Sequence, residues 1–523
     1  MASKFFYGRQ KTLRAVRPFT IGFSSGATYT WTVNGKTLIY TAVSGDDATS
    51  VALALANLGS SSVEPEHSEL EFSSSAAVLT ATGPTDGGPF TASGSATAGS
   101  FTSGTAITGT SPNDLTDTAN WSGAALPGNN DTVTFPKNAP NVRYNLAGMT
   151  ATGLTIIREA GGPRLGLPDV RSDGKLEYRS TRMVLASCAS ALIYLDGNEV
   201  AQSVRLDCGT FATIVEIVGV GPSAPGAEVV EVVGLTTNGE IRCNNGSVAS
   251  CTEDGEAEIV TVLNATNSTL RVGPWGTATT INVNGQTAVA SIAANFTTLN
   301  VDDFAQVGVI GSATGRPVIE AGTVAWISTG NPISPVIASD GVLTFDQGTG
   351  AVSIAGINEV QTLTSGAAAT GGTAVLRVPL VAGGFANTGS ITWDATDATL
   401  LANINAALDA ATGVAGGIVA TGAAPDTALT FTFSGTGYAG LNWDLITVVS
   451  GFTSWSAVVA TNTTTPYPAV VTRTADNARL LDNSKRIERP FTYVNDHCRE
   501  DADAVQLGNH TRRTVAASID FIK

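Results

Sequence analysis

The chain has 523 residues, enough for two to four domains and a sizeable core. Only 14% of the residues are charged, 43% are hydrophobic and 57 are Gly, a balance that excludes a disordered chain. A formal net charge of −16 argues against non-specific nucleic-acid binding, because neutralising phosphate takes clustered Lys and Arg.

The first residues depart from that acidic balance. Lys4, Arg9, Lys11, Arg14 and Arg17 occur with no Asp or Glu among them. They read as a basic N-terminal arm (residues 1–17), either solvated or docked on an acidic partner surface. No apolar run of the kind a secretory signal needs follows it, and no stretch of about 18 apolar residues occurs anywhere, so no membrane span is expected. An external protein of this kind would leave the cell by lysis, or its signal would lie outside this sequence.

Residues 18–108 predict a small α/β module. Tyr29–Val33 and Thr37–Tyr40 flank Asn34-Gly35, a two-residue hairpin turn whose positions both need positive φ. Gly45-Asp46-Asp47 then leads into a short helix with Val51, Leu55 and Leu58 on one face. Strands at Glu69–Phe72 and Ala77–Ala81 follow, and the Gly/Ser/Thr-rich stretch Gly94–Gly109 reads as a linker.

Residues 113–357 form the longest region. Short candidate strands recur there: Leu154–Ile157, Val204–Leu206, Thr213–Val218, Glu228–Val233, Glu258–Val262, Ile281–Val283, Thr298–Val301, Val307–Ile310, Val324–Ile327 and Val342–Phe345. Turn signals separate many of them, among them Asn284-Gly285 and Ser339-Asp340-Gly341. A spacing often near twenty residues predicts stacked coils of short strands, a central right-handed parallel β-helix; a β-sandwich would use similar residues. The five cysteines (Cys188, Cys208, Cys243, Cys251, Cys498) are an odd number and make no disulfide framework. Cys188 and Cys208 are spaced to stack on adjacent coils as small buried hydrophobes. With no CxxC and only His67, His497 and His510, no metal site or cofactor is expected.

Residues 358–455 repeat the plan of the first module. The order is a strand at Val360–Leu363, another at Ala374–Val378, Ile391-Thr392-Trp393, a helix with Leu401, Ile404 and Leu408, then Ile418–Ala420, Leu429–Phe433 and Leu445–Val449. Residues 456–523 are richer in Arg and Lys among acidic residues and read as a C-terminal arm or cap.

Two stretches carry a resemblance. Val360–Leu363, Gly371-Gly372-Thr373, Asp394–Leu408 and Leu429–Gly440 resemble a module repeated in tailed-phage structural proteins and large bacterial surface proteins. Asn120-Trp121-Ser122-Gly123, Leu126-Pro127-Gly128 and Asp131-Thr132-Val133 look like the start of parallel β-helix regions in autotransporter-like and phage proteins, where the Trp segment covers the first coil. The module resemblance covers about a fifth of the chain and specifies a scaffold, not a chemistry. It implies a mainly β virion protein: a central β-helix flanked by two small α/β modules, displayed on the virion surface.

Candidate catalytic groups are few. Glycoside hydrolysis would need two carboxylates facing one groove. Asp302-Asp303, Asp346 and the set Glu216, Glu228 and Glu231 are available, but adjacent strand residues face opposite sides unless they sit at a turn. Asp496-His497-Cys498 lies in a polar tail, and Trp275 reads as a loop aromatic before it reads as a sugar platform. No catalytic, cofactor or metal residue is assigned. The sequence thus points to a non-enzymatic capsid decoration (cement) protein, a homotrimer bound to the major capsid protein or other virion subunits, with the basic residues 4–17 as partner contacts. The alternatives are a tail fibre or tailspike recognising a host glycan, and a bacterial surface adhesin.

Overall fold

In the computed structural model the chain is mainly β, with its strands spread over several sheets and few helices. The structure describes residues 2–220, 229–250, 258–455 and short stretches from 459 to 506, leaving out one to four residues at a time within the first three ranges. Among the described residues no helix is long and apolar enough to cross a membrane. The chain divides into two compact units, residues 1–279 with 288–290 and residues 280–287 with 291–523, so the middle region is shared between them.

In the first unit, the residues read as an arm are tied down from the start. Ser3–Phe5 is a strand, paired in parallel with Thr132–Phe135. The Ala2 N–H donates to Asp131 Oδ1 at 2.6 Å and the Gln10 N–H to Asn120 Oδ1 at 2.9 Å. Phe6 is fully buried, edge-on to Trp121 at 5.2 Å and tilted against Phe135 at 5.7 Å. The charge pattern suggested an arm because it drew attention to Lys and Arg; the apolar pair Phe5-Phe6 decides the outcome. Trp121 Nε1 donates to the Leu115 carbonyl, so this large ring is buried with its polar atom satisfied.

The first module spans Val16–Gly22 to Ser100–Ser103. Its four-stranded sheet runs in the spatial order Glu71–Ser75, Val78–Thr82, Val16–Gly22, Ser100–Ser103, and its three-stranded sheet Lys36–Thr41, Thr28–Val33, Ala92–Ala96, all antiparallel. The hairpin turns at Asn34 (φ 49°) and Gly35 (φ 82°). The helix Ala48–Ser60 starts with a capping box, Asp47 accepting from the Ser50 N–H and Ser50 Oγ accepting from the Asp47 N–H. Its buried face holds Val51, Ala52, Leu55, Ala56 and Gly59, whereas Leu58 is exposed. The stretch read as a linker supplies two strands, Ala92–Ala96 and Ser100–Ser103, one to each sheet. Small side chains there reflect close packing: a Cβ on Gly94 would lie 2.0 Å from the Phe101 ring.

The second unit contains a module of the same strand order. One sheet runs Ile418–Ala424, Ala428–Phe433, Val360–Thr364, Val459–Thr464. In the other, Thr373–Pro379 pairs antiparallel with Phe385–Asn387 and Thr447–Ser450, and the two-residue strand Ile391–Thr392 joins it. The helix Asp397–Thr412 occupies the place of the first module's helix in the chain, but its buried face is Leu400, Ile404 and Leu408, with Leu401 only partly covered.

Outside the modules the strands pair in parallel. In the first unit Thr132–Phe135 pairs with the next strand, Leu154–Arg158, and from there strands pair with the one two further along: Ser190 lies beside Ile214 and Ile214 beside Glu240, while in a second set Val204 lies beside Val230 and Val230 beside Val248. Buried residues stack in register, Ala191 on Val215 on Ile241 and Ile193 on Ile217 on Cys243. Cys188 opens a strand of the first set and Cys208 follows one of the second, so the two do not stack as their spacing predicted. Both are buried, and burial pushes the Cys188 thiol up to about 12. In the second unit Leu299 lies beside Pro317 and Val318 beside Val336. Ser339-Asp340-Gly341 is no turn but part of the strand Val336–Thr344, where the register shifts.

Each module leaves and re-enters the parallel strands of its own unit between neighbouring strands. The first lies between Ser3–Phe5 and its partner Thr132–Phe135; the second lies between Val336–Thr344 and its partners Val470–Arg473 and Arg479–Leu481. The segment read as a C-terminal arm therefore supplies parallel strands, which Thr492–Asn495 and Val505–Gln506 extend.

Truncating Phe6 should then unsettle the fold and not merely trim a tail. Phe6→Ala is expected to cost about 3–5 kcal/mol, as for other fully buried Phe side chains. Urea unfolding followed by tryptophan fluorescence measures it, and a loss below about 1 kcal/mol would mean the first residues are dispensable.

Candidate functional site

Of the basic residues singled out at the N-terminus, Lys4 lies in the first strand and Arg14 is engaged. Arg14 donates through Nε to the Gly83 carbonyl at 2.8 Å and ion-pairs with Glu71 at 2.9 Å. Arg17 sits opposite Ala81 within a sheet, and Arg9 stacks over the Tyr7 ring at 4.2 Å. Arg9 and Lys11 are exposed. The five do not converge on one site.

The candidate carboxylates are dispersed too. Asp302 and Asp303 do sit at a turn, where Asp302 Oδ1 accepts from the Asp303 N–H. Glu231 is held by two arginines, Oε1 by Arg182 at 2.8 Å and Oε2 by Arg205 Nε at 2.6 Å. Glu216 lies in the strand Ile214–Val220 opposite Leu192 and Arg242. Glu228, Asp346, Trp275, Asp496, His497 and Cys498 lie outside the described residues.

Strand alternation builds a different site in the first unit. Val142, Leu165, Val204 and Val230 align in parallel, and all four are buried. Their chain neighbours consequently face the other side of the sheet: Arg143 beside Val142, Arg164 and Gly166 beside Leu165, Arg205 beside Val204 and Glu231 beside Val230. Gly166 has a φ of 116°, and a Cβ there would lie 2.6 Å from the Thr181 carbonyl oxygen and 3.1 Å from Arg205 Cβ. Only glycine fits that floor.

Over this outer face folds the segment 167–179. Across the turn at Asp173-Gly174 the Arg171 N–H donates to the Lys175 carbonyl and the Gly174 N–H to the Arg171 carbonyl, and the Glu177 N–H donates to the Asp169 carbonyl. The segment meets the first module through polar contacts: Asn34 Nδ2 donates to Tyr178 Oη at 3.2 Å, Ser68 Oγ to Asp173, and Arg171 to the Pro65 carbonyl. Nearby, Asp86 accepts from Tyr144 Oη at 2.6 Å and from Arg143 at 2.7 Å.

The result is a cleft of about 280 Å³ lined by Glu69, Asn141, Arg143, Arg164, Arg171 and Glu177, with Gly166, Leu167 and Pro168 among its apolar walls. Glu177 is the most deeply set carboxylate, its side chain 1% exposed. It accepts from the backbone N–H of Tyr178 and Arg179 and from the Arg179 guanidinium through both oxygens. Burial by itself would raise the Glu177 carboxyl, but the hydrogen bonds and charge of Arg179 outweigh it and hold the group below its ordinary value. Arg179 spans the Tyr144 and Tyr178 rings at 5.2 and 5.1 Å, and burial pushes the Tyr178 hydroxyl up to about 12.

Glu69 Oε1 takes Arg179 at 3.0 Å and Arg171 at 3.2 Å, while its buried Oε2 has no hydrogen-bond partner among the described residues. Arg164 is exposed, and its guanidinium makes no ion pair or hydrogen bond among the described residues. A second cleft, of about 480 Å³ in the second module, is lined by Leu363, the residues 445–451 and Ala460, with no charged side chain. A scan of protein-family models finds no match to the chain, and a search of curated proteins finds none either.

Reasoning from sequence overlooked the cleft because Asp169, Asp173 and Glu177 alternate with its basic residues and mask them in any charge count. One signal was present: five of the chain's 28 Lys and Arg residues fall between 164 and 182.

Because the folded value of Glu177 is depressed, its contribution to stability is complete above the unfolded value of about 4.3 and is lost as pH falls through the folded one. Glu177→Ala should cost about 1–3 kcal/mol at neutral pH, since it removes four charge-assisted hydrogen bonds and leaves Arg179 with Glu69 as its remaining carboxylate partner. The variant should also melt with a shallower pH dependence than the parent below about pH 4.3. Melting curves across the acid range check both; parallel curves would remove Glu177 from the account.

Proposed function

We propose that this protein is a non-enzymatic structural component of a tailed-phage virion, a capsid decoration (cement) protein built on a right-handed parallel β-helix. The observation that carries this reading is the pair of modules with one strand order, each let into a parallel-stranded scaffold between neighbouring strands. Parallel pairing of each strand with the one two further along is what stacked coils produce, and right-handed crossovers are the rule for such connections. A scaffold of this kind is stiff, and surface modules can be added to it without disturbing the coils, because each begins and ends at adjacent strands.

The mechanism is adhesive. A homotrimer, centred on a three-fold position of the head, would spread buried contact area over several copies of the major capsid protein. Arg9 and Lys11, which are exposed, would be the N-terminal cations that meet an acidic neighbour. The acidic surface left outside keeps the decorated particle soluble. A tail fibre or tailspike that recognises a host glycan is the second reading, and the polar cleft beside the first module favours it.

Two measurements test the first reading. Light scattering of the purified chain should give a mass three times the 53.2 kDa protomer. Immunogold labelling of intact particles should decorate the whole head; gold confined to the tail tip would replace decoration with receptor binding, and a monomer would remove the trimer.

A further inference from the structure

We infer that the cleft over Val142 and Leu165 binds one carboxylate-bearing sugar unit, a uronate, in a polysaccharide. Both ends of such a ligand find a partner here. Arg164 offers a whole guanidinium with no protein acceptor, and Arg143, beside it in the lining, uses only Nη1 on Asp86 among the described residues. A planar carboxylate suits such forks, which bind it through two parallel hydrogen bonds. Glu69 Oε2, in the same lining, is a buried acceptor without a donor among the described residues, and a sugar hydroxyl supplies one. Asn141 and Ser172 add polar groups, while Leu167 and Pro168 give the ring's C–H face an apolar wall.

The charge balance narrows the class. Arg171 and Arg179 are already paired with Glu69, Asp173 and Glu177, so the cleft is not a generally cationic basin. An anion such as phosphate would gain Arg164 but hold its negative charge, spread over all its oxygens, close to the Glu69 and Glu177 carboxylates, whereas a uronate offers Glu69 a neutral hydroxyl set apart from its charge. A neutral sugar would satisfy Glu69 and leave Arg164 without its counter-charge. Only a ligand that is an anion at one end and a hydroxyl donor at the other answers both. The site is also prebuilt: the Gly166 floor and the Arg179–Glu177 clasp fix its walls before any ligand arrives.

The experiment titrates the full chain with methyl glucuronide, methyl glucoside and inorganic phosphate, by calorimetry and saturation-transfer NMR. Methyl glucuronide should bind saturably, and the glucoside and phosphate each about tenfold more weakly or worse. Arg164→Ala, a surface change that should leave the melting temperature unaltered, is expected to weaken the glucuronide about tenfold or more. Glu69→Ala should narrow the gap between glucuronide and phosphate, because it removes the group that reads the hydroxyl. Equal binding of the glucoside or of phosphate, an unchanged affinity in Arg164→Ala, or no glucuronide binding at all would each overturn the inference. None of these outcomes depends on where the protein sits in a particle.

Discussion

Parallel pairing between strands some twenty to thirty residues apart is the constraint on which everything else rests. A single strand such as Ile214–Val220 cannot satisfy its own N–H and C=O groups; Cys188–Asp196 on one side and Glu240–Asn244 on the other do so. The same register brings Ile193, Ile217 and Cys243 into one buried column. Hydrogen bonding and hydrophobic burial are therefore not separate contributions here, since a slip of one residue would turn every buried side chain outward.

That register also explains why charged residues are buried without ruin. Arg205 and Glu231 are direct partners on adjacent strands, and Arg205 adds bonds to the Leu167 carbonyl and to Asp169. Arg158, likewise buried, reaches both oxygens of Glu199 and the Pro163 and Gly162 carbonyls. Buried pairs of this kind add little net stability, but each fixes one alignment, because the loss of a single partner leaves a charge stranded. On the outer face of the Val142–Val230 row, Arg205 packs against the Gly166 floor and holds the Leu167 carbonyl, so it fixes one side of the cleft.

The two modules show how one topology is met by different side chains. Both hold a helix against a pair of antiparallel sheets in the same order. In the first, Phe101 packs on Gly94 and against Phe19, closing the space between its last two strands. In the second, Gln361 is buried within the equivalent first strand, donating to Glu359 and to the Asp444 carbonyl and accepting from the Ile446 N–H. A polar anchor there substitutes for aromatic packing, and an open cleft remains beside Leu363 and Ala460.

Local chemistry made much of this legible. Asn34-Gly35 specified its turn because both positions need positive φ, the spacing of Ile404 and Leu408 specified a helix, and runs rich in β-branched residues such as Thr213–Val218 marked strands. Partners were another matter. That Phe6 belongs to a core, that Ala92–Ala96 and Ser100–Ser103 are strands and not linker, and that Val470–Arg473 and Arg479–Leu481 pair in parallel with Val336–Thr344 all depend on neighbours over a hundred residues away, or on the two sheets that need an edge. The cleft is the clearest case: Glu69 reaches it from one element and Arg164 from another, and no local pattern records which charges cancel. The sequence alone determined which segments extend and where they bend, because those are properties of φ, ψ and side-chain shape. Only the tertiary structure decided which segments lie side by side, because that choice belongs to hydrogen-bond register and shared burial.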